Sequence, residues 1–133
     1  CKAKKLDRQH IKNGDCMEKL LQVTYLYDFY GQLLTKKQET AIKKYYLEDL
    51  SLSEIASQEQ VSRQSIHDTI KQAEKKLISY EEKLGLVKRF KEQEKELESI
   101  ILQIQDIQAN IQDPKTDPII SNVIKNMQKL LND

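Results

Sequence analysis

A helix-turn-helix pattern lies in residues 51–77, SLSEIASQEQVSRQSIHDTIKQAEKKL. Ser51 is followed three residues later by Glu54, which is a capping box: each side chain satisfies a free backbone N–H group at the start of a helix. The box therefore predicts a helix that begins at Leu52. The apolar face of this first helix consists of Ile55 and Ala56.

A tight turn is predicted at residues 60–62, with Val61 as its apolar plug. Ser62 is a favourable N-cap, so the second helix is expected to begin at Arg63. Apolar residues recur along this helix at intervals of three and four, as one buried face requires. They are Ile66, Ile70, Ala73 and Leu77.

The polar residues of the second helix are expected to face outward, because a helix turns by about 100° per residue. In helix-turn-helix proteins the start of this helix contacts base edges in the DNA major groove. The candidates for base contacts are Arg63, Gln64, Ser65, His67 and Asp68, and the candidates for phosphate contacts are Lys71 and Lys75. The same residues also fit the solvated face of a packed helix that binds no nucleic acid.

The charge of the pattern argues against strong DNA binding. Residues 51–77 contain four bases and four acids, so their net charge is zero. Non-specific DNA affinity comes largely from Lys and Arg that displace counterions at phosphates. A neutral module with Asp68 in the middle of its polar face is expected to bind a duplex weakly, unless dimerisation adds contacts.

Composition indicates an all-α soluble protein. The chain has 133 residues, 32% of them charged, with only three glycines and two prolines, and its apolar residues recur at helical spacing. No apolar run approaches the length of about 18 residues that a membrane span needs, so no membrane insertion is expected. Without a signal-peptide pattern, and with only Cys1 and Cys16 as cysteines, a reduced cytoplasmic location is predicted.

Three segments are predicted. Residues 1–16 hold five bases and two acids with no persistent apolar face, and are either an added extension before Met17 or a flexible basic arm. Without them the chain has 17 bases and 19 acids, a net charge of −2. Residues 17–84 are expected to form the helix-turn-helix helical domain. Residues 85–133 are expected to form a C-terminal helical extension.

Two helices are predicted before the helix-turn-helix. The first covers residues 17–34 and offers to the core Leu20, Leu21, Leu26, Phe29, Tyr30 and Leu33. A second capping box, Thr35 with Gln38, starts a helix that runs through Leu47. Residues 48–50 link it to the helix-turn-helix.

The apolar pattern changes beyond Gly85, which is a plausible helix stop. In residues 86–112 apolar residues follow a heptad-like seam, which favours a coiled-coil-like interface with another copy or with another helix of the same chain. The interface candidates are Phe90, Leu97, Ile100, Ile104, Ile107 and Ile111. Asp117 and Pro118 begin a last helix whose apolar stripe is suited to folding back.

Catalytic and cofactor sites are not predicted. Neither a nucleophile paired with a base nor a phosphate-binding glycine loop can be named with supporting spacing. His67 has no His or Cys neighbour at metal-ligand spacing, so no metal site is expected. The sequence favours a binding function without cofactors.

A series of short motifs runs through residues 25–86, namely Asp28-Phe29-Tyr30, Leu33-Leu34-Thr35, Tyr45-Tyr46, Glu54-Ile55-Ala56 and Val61-Ser62-Arg63-Gln64. In order and spacing these motifs resemble the YlxM family of small bacterial proteins, whose core is similar to the fourth region of sigma factors. The resemblance carries DNA contacts onto Arg63, Gln64 and Lys71. The chain departs from the pattern at Gln60, where many such turns have glycine, at His67 and at Thr69.

The resemblance implies an all-helical, non-enzymatic protein that acts in or regulates the signal recognition particle pathway. The leading hypothesis is therefore an accessory protein that binds the particle's protein or RNA. The alternative is a sigma-like transcriptional regulator that binds DNA. A third hypothesis is a structural adaptor whose C-terminal helices form a homodimer.

Overall fold

The computed structural model describes residues 13–132, with side chains from residue 17 onward. The predicted extension at residues 1–16 therefore lies largely outside the described residues. Within the described part the chain forms six α-helices and no strand, which confirms the all-α fold. The helices are α1 (Asn13–Tyr30), α2 (Lys36–Ile42), α3 (Leu52–Glu59), α4 (Arg63–Leu84), α5 (Leu86–Asn110) and α6 (Asp117–Asn132).

Helix α1 ends four residues earlier than predicted and continues as a short 3-10 turn, Gly31–Leu33. Its buried face consists of Val23, Leu26 and Tyr30. The predicted core positions Leu21, Phe29 and Leu33 are exposed instead. Several apolar residues in succession fit more than one helix rotation, and packing selects the rotation that places the Tyr30 ring in the core.

Helix α2 begins at the predicted capping box: the Thr35 hydroxyl accepts from the Gln38 N–H, and the Gln38 side chain accepts from the Thr35 N–H, both at 3.3 Å. The helix continues to Leu47 as predicted, but its last five residues, Lys43–Leu47, form a π-helical turn. Such widened turns are rare and occur mostly as single turns. Here the turn carries Tyr46 into the interior.

Helices α3 and α4 form the predicted helix-turn-helix. Ser51 caps α3 and receives the Glu54 N–H at 3.2 Å, while Ser62 caps α4 and receives the Ser65 N–H at 3.0 Å. The chain reverses at Gln60, which has a left-handed conformation with φ of 54°. The prediction that Val61 fills the turn is wrong, because the reversal leaves this side chain 45% exposed.

The apolar stripe of α4 lies in the core, as predicted. Ile66, Ile70, Ala73 and Leu77 are all buried. They belong to one cluster with residues of the preceding helices, including Leu26, Tyr30, Ile42, Leu52 and Ile55. Helix α4 is therefore the element on which α1, α2 and α3 pack.

The end of α4 is fixed by Tyr30. Its hydroxyl donates to Glu81 Oε2 at 2.6 Å and accepts the Leu86 N–H at 3.1 Å, and Glu81 Oε2 also accepts the Val87 N–H at 3.0 Å. Gly85 ends the helix as predicted, with φ of 62°, a value that glycine adopts without steric cost. Burial and the bond to Glu81 raise the pKa of Tyr30.

The chain divides into two compact units, Cys1–Val87 and Lys88–Asp133. The second unit contains α6 and most of α5. The Gln108 amide donates to Asp117 Oδ1 at 2.8 Å and to Ser121 Oγ at 3.0 Å, so the start of α6 lies beside the end of α5. Because the connection between them is short, these helices are antiparallel neighbours.

The predicted seam of α5 is only partly covered. Phe90, Leu97 and Ile104 are half-buried, whereas Ile100, Ile107 and Ile111 are exposed. Ile101, which the heptad pattern omits, is buried. On one side of the predicted seam, the buried residue is therefore Ile101 and not its neighbour Ile100.

None of the helices in residues 13–132 is both long enough and apolar enough to cross a membrane.

Truncating the buried stripe of α4 should destabilise the helical domain. Replacing Ile70 or Ile66 by alanine is expected to lower the free energy of unfolding by about 2–5 kcal/mol, because each change leaves a cavity in a packed core. Ile78 lies on the same helix but is exposed, so Ile78→Ala should cost about 0.5 kcal/mol or less. Urea denaturation measures all three variants. Equal losses for Ile78→Ala and Ile70→Ala would contradict this packing.

Candidate nucleic-acid interface

The polar side chains of α4 occupy its outward side. Six of the seven predicted contact residues are exposed, namely Arg63, Gln64, Ser65, Asp68, Lys71 and Lys75, and His67 is half-buried. The Ser62 cap determines where the helix starts, and the buried stripe determines its rotation. The structure therefore places the predicted residues on one helix with their side chains accessible.

An acidic group lies in the middle of this side. Asp68 Oδ1 accepts a hydrogen bond from Gln64 Nε2 at 2.9 Å and lies 3.5 Å from His67 Nδ1. Gln64 must leave this bond before its amide can contact a base edge. The Asp68 carboxylate also repels phosphates, which limits the affinity of the face for nucleic acid.

The Glu74 carboxylate lies just inside the same helix. Glu74 is only 8% exposed. Its Oε2 is 3.3 Å from Lys19 Nζ of α1 and 3.4 Å from Lys71 Nζ of α4, and its Oε1 accepts a hydrogen bond from the Tyr46 hydroxyl of the π-helical turn. This carboxylate therefore joins three elements.

Its partners keep Glu74 ionised. Burial by itself raises the pKa of Glu74, but the Tyr46 hydrogen bond and the two ammonium groups outweigh burial and hold the pKa below its ordinary value. Burial and the neighbouring carboxylate raise the pKa of Tyr46, which stays protonated at neutral pH. The cluster is a carboxylate with three donors.

Lys71 is consequently a weaker phosphate candidate than the sequence suggested. Its ammonium lies 3.4 Å from Glu74 Oε2, a carboxylate that it shares with Lys19, so its positive charge is partly compensated inside the protein. Lys75 is exposed, and within residues 17–132 no acidic group forms an ion pair with it. Lys75 therefore keeps its full charge for a partner.

Lys76 was not among the predicted contact residues. This residue is exposed, and its ammonium donates to the amide oxygen of Gln38 at 3.2 Å, a neutral partner that leaves the charge uncompensated. Lys76 follows Asp68 by eight residues, slightly more than two helical turns, and so projects from the same outward half of α4. This spacing from Asp68 is the feature of the sequence that could have identified Lys76. Together with the exposed Arg63, Lys75 and Lys76 are the uncompensated positive charges of this face.

Comparison with known proteins matches this architecture. Residues 17–117 match the model of the UPF0122 family, described as "Putative helix-turn-helix protein, YlxM / p13 like". The chain is similar to a UPF0122 protein of Thermoanaerobacter sp., with 44% identity over 110 residues, which are 83% of this chain and 94% of the relative. Similar UPF0122 proteins occur in Desulforamulus reducens, with 51% identity over 64% of this chain and 73% of the relative, and in Oceanobacillus iheyensis, with 48% identity over 68% and 86%.

Removing the buried carboxylate should change how stability depends on pH. Since the folded-state pKa of Glu74 is lowered, its ionised form stabilises the fold above about pH 4.5, and this contribution is lost as the pH falls through the lowered pKa. Glu74→Gln should therefore cost about 1–3 kcal/mol at pH 7, and the difference from the parent should shrink below about pH 4.5. Denaturation at pH 7, 5 and 3 measures this. Glu82→Gln, an exposed change on the same helix, is the control and should cost almost nothing at pH 7.

The salt dependence of nucleic-acid binding should distinguish Lys75 and Lys76 from Lys71. If α4 contacts phosphates, Lys75→Ala and Lys76→Ala should each reduce the slope of log K against log salt by about one for a mixed-sequence nucleic acid. Lys71→Ala should change the slope much less, because this ammonium is engaged by Glu74. Fluorescence anisotropy at several salt concentrations provides the slopes. A Lys71→Ala variant with the largest loss of slope would show that the compensated lysine is the one in contact.

Proposed function

Because this chain belongs to the YlxM/p13-like helix-turn-helix family, we propose that it is a non-enzymatic accessory protein of the signal recognition particle pathway. It acts in the cytoplasm and uses the outward side of α4 to bind the particle's RNA or protein. The family resemblance of residues 25–86 supports the pathway. The geometry of α4 supports a binding function.

The observation that carries the proposal is the small positive charge of the exposed α4 side. Arg63, Lys75 and Lys76 are uncompensated, Lys71 faces Glu74, and the Asp68 carboxylate lies between Arg63 and the lysines. One guanidinium and two ammonium groups with a carboxylate between them provide few phosphate contacts, whereas a module that binds a duplex alone typically needs more. This small charge favours an accessory protein that adds contacts to an existing assembly.

The runner-up function is a sigma-like DNA-binding regulator. The observation that favours it is the start of α4, where Arg63 and Gln64 are exposed immediately after the Ser62 cap. An arginine and a glutamine suit guanine and adenine edges in the major groove. For this function Gln64 would have to exchange its bond to Asp68 for a base.

The two functions are separated by titrating the full-length chain against three purified partners. These are the signal recognition particle RNA, the signal recognition particle protein and a mixed-sequence DNA duplex of similar length to the RNA. The proposal predicts that the RNA or the protein binds at least about tenfold more tightly than the duplex, at one near-physiological salt concentration. Capture from lysate with and without RNase and DNase provides the independent check.

Paired variants test whether α4 is the surface in contact. Lys75→Ala combined with Lys76→Ala should weaken binding of the preferred partner, while Lys125→Ala combined with Lys129→Ala removes the same charge from exposed positions of α6 and should not. Tight binding only to DNA would favour the regulator. Binding to none of the three partners would overturn both functions.

A further inference from the structure

Helices α5 and α6 each carry two parallel apolar stripes. The inner stripe of each helix is buried or half-buried. In α5 it consists of Leu97, Ile101 and Ile104 and continues as the half-buried amide of Gln108, and in α6 it consists of Ile120, Ile124, Met127 and Leu131. The hydrogen bonds from Gln108 to α6 place these helices side by side, with the inner stripes toward each other.

A second stripe on each helix is exposed. It consists of Ile100 and Ile107 in α5 with Ile111 directly after the helix, and of Ile119, Val123 and Leu130 in α6. Most of these residues directly precede a residue of the inner stripe. On each helix the outer stripe is therefore rotated by about 100° from the inner stripe, in the same sense along the chain. In an antiparallel pair whose inner stripes face each other, equal rotations bring the two outer stripes to the same side. We call these six residues the outer face.

The surroundings of the outer face carry little charge. Its exposed neighbours on both helices are mainly amides, Gln103, Asn110, Asn122 and Asn126, and the charged exception is Glu96, one turn before Ile100. Within residues 88–98 eight of eleven side chains are charged, whereas within residues 99–112 only Asp106 is. The charged part of α5 and its exposed apolar part are therefore separated along the helix.

We propose that the outer face binds the outer face of a second copy of this chain. In a two-fold symmetric interface each residue meets residues of the same surface, so a charged rim can bring like charges together. A rim that consists mainly of uncharged amides reduces that repulsion and can exchange hydrogen bonds with itself. A nucleic acid or a charged membrane surface finds no complementary charge here.

The size of the face predicts a weak dimer. Two helices, each about 10 Å wide and about 24 Å long over the 16 residues of α6, present a face of roughly 500 Å². Stable interfaces of ordinary size remove about 800 Å² of accessible surface from each partner. A corrugated face of this size approaches that value, so the dissociation constant is expected to be about micromolar rather than nanomolar. This inference does not depend on the proposed function.

The test is the mass of the full-length chain in solution as a function of its concentration. Sedimentation equilibrium of the parent should show a change from 15.6 kDa toward twice that mass across about 1–200 µM. Ile107→Lys and Val123→Lys each place a charge within the outer face and should weaken dimerisation at least about tenfold. Leu102→Lys is the matched control, because Leu102 is 67% exposed but projects from the other side of α5.

Circular dichroism checks that each variant keeps its helices, and Ile107→Gln replaces Ile107→Lys if the charged variant unfolds. Three outcomes would overturn the proposal. They are a parent that stays at 15.6 kDa at 200 µM, outer-face variants that dimerise like the parent, and a Leu102→Lys variant that loses dimerisation equally.

Discussion

The buried carboxylate of Glu74 is the interaction on which the arrangement of the first unit depends. A charge removed from water costs several kcal/mol unless partners compensate it. Glu74 has such partners on three elements, with Lys19 on α1, Tyr46 on the π-helical turn and Lys71 on α4 itself. Losing one partner leaves the buried charge less well compensated, so the cluster restricts how α1 and the turn can pack against α4.

The same carboxylate links packing to function. It holds the Lys71 ammonium at 3.4 Å and so reduces the contribution of this lysine to the outward charge. Lys75 and Lys76 remain available, with Asp68 between them and the start of the helix. Under the proposed function, a face of this kind would bind with modest affinity and gain specificity from an additional partner surface.

The local structure could be predicted because it depends on neighbours in the sequence. Capping boxes at Thr35 and Ser51, the Ser62 cap and the Gly85 stop each involve residues within a few positions of one another, and all were confirmed. The apolar stripe of α4 was equally clear, since few rotations of that helix bury only its apolar residues.

The remaining features depend on distant contacts. In the sequence Glu74 is one acid among several that balance nearby bases, and nothing local shows that Lys19 and Tyr46 surround it. The π-helical turn has no signature in residues 43–47, because its shape follows from where Tyr46 must lie. Because positions 100 and 101 are both isoleucine, the sequence fits two rotations of α5. The heptad pattern selected Ile100, which is exposed, instead of Ile101, which is buried. The role of Lys76 depended on its partner being the neutral amide of Gln38.

The central claim is that Glu74 stays ionised inside the domain and compensates Lys71. A carbon-13 NMR titration of the Glu74 side-chain carboxyl in the full-length chain tests this directly. The account predicts a pKa below 4.5 that rises in Lys71→Ala, because this variant removes one of the two ammonium groups that favour the carboxylate. A pKa at or above 4.5 in the parent, unchanged in Lys71→Ala, would contradict it.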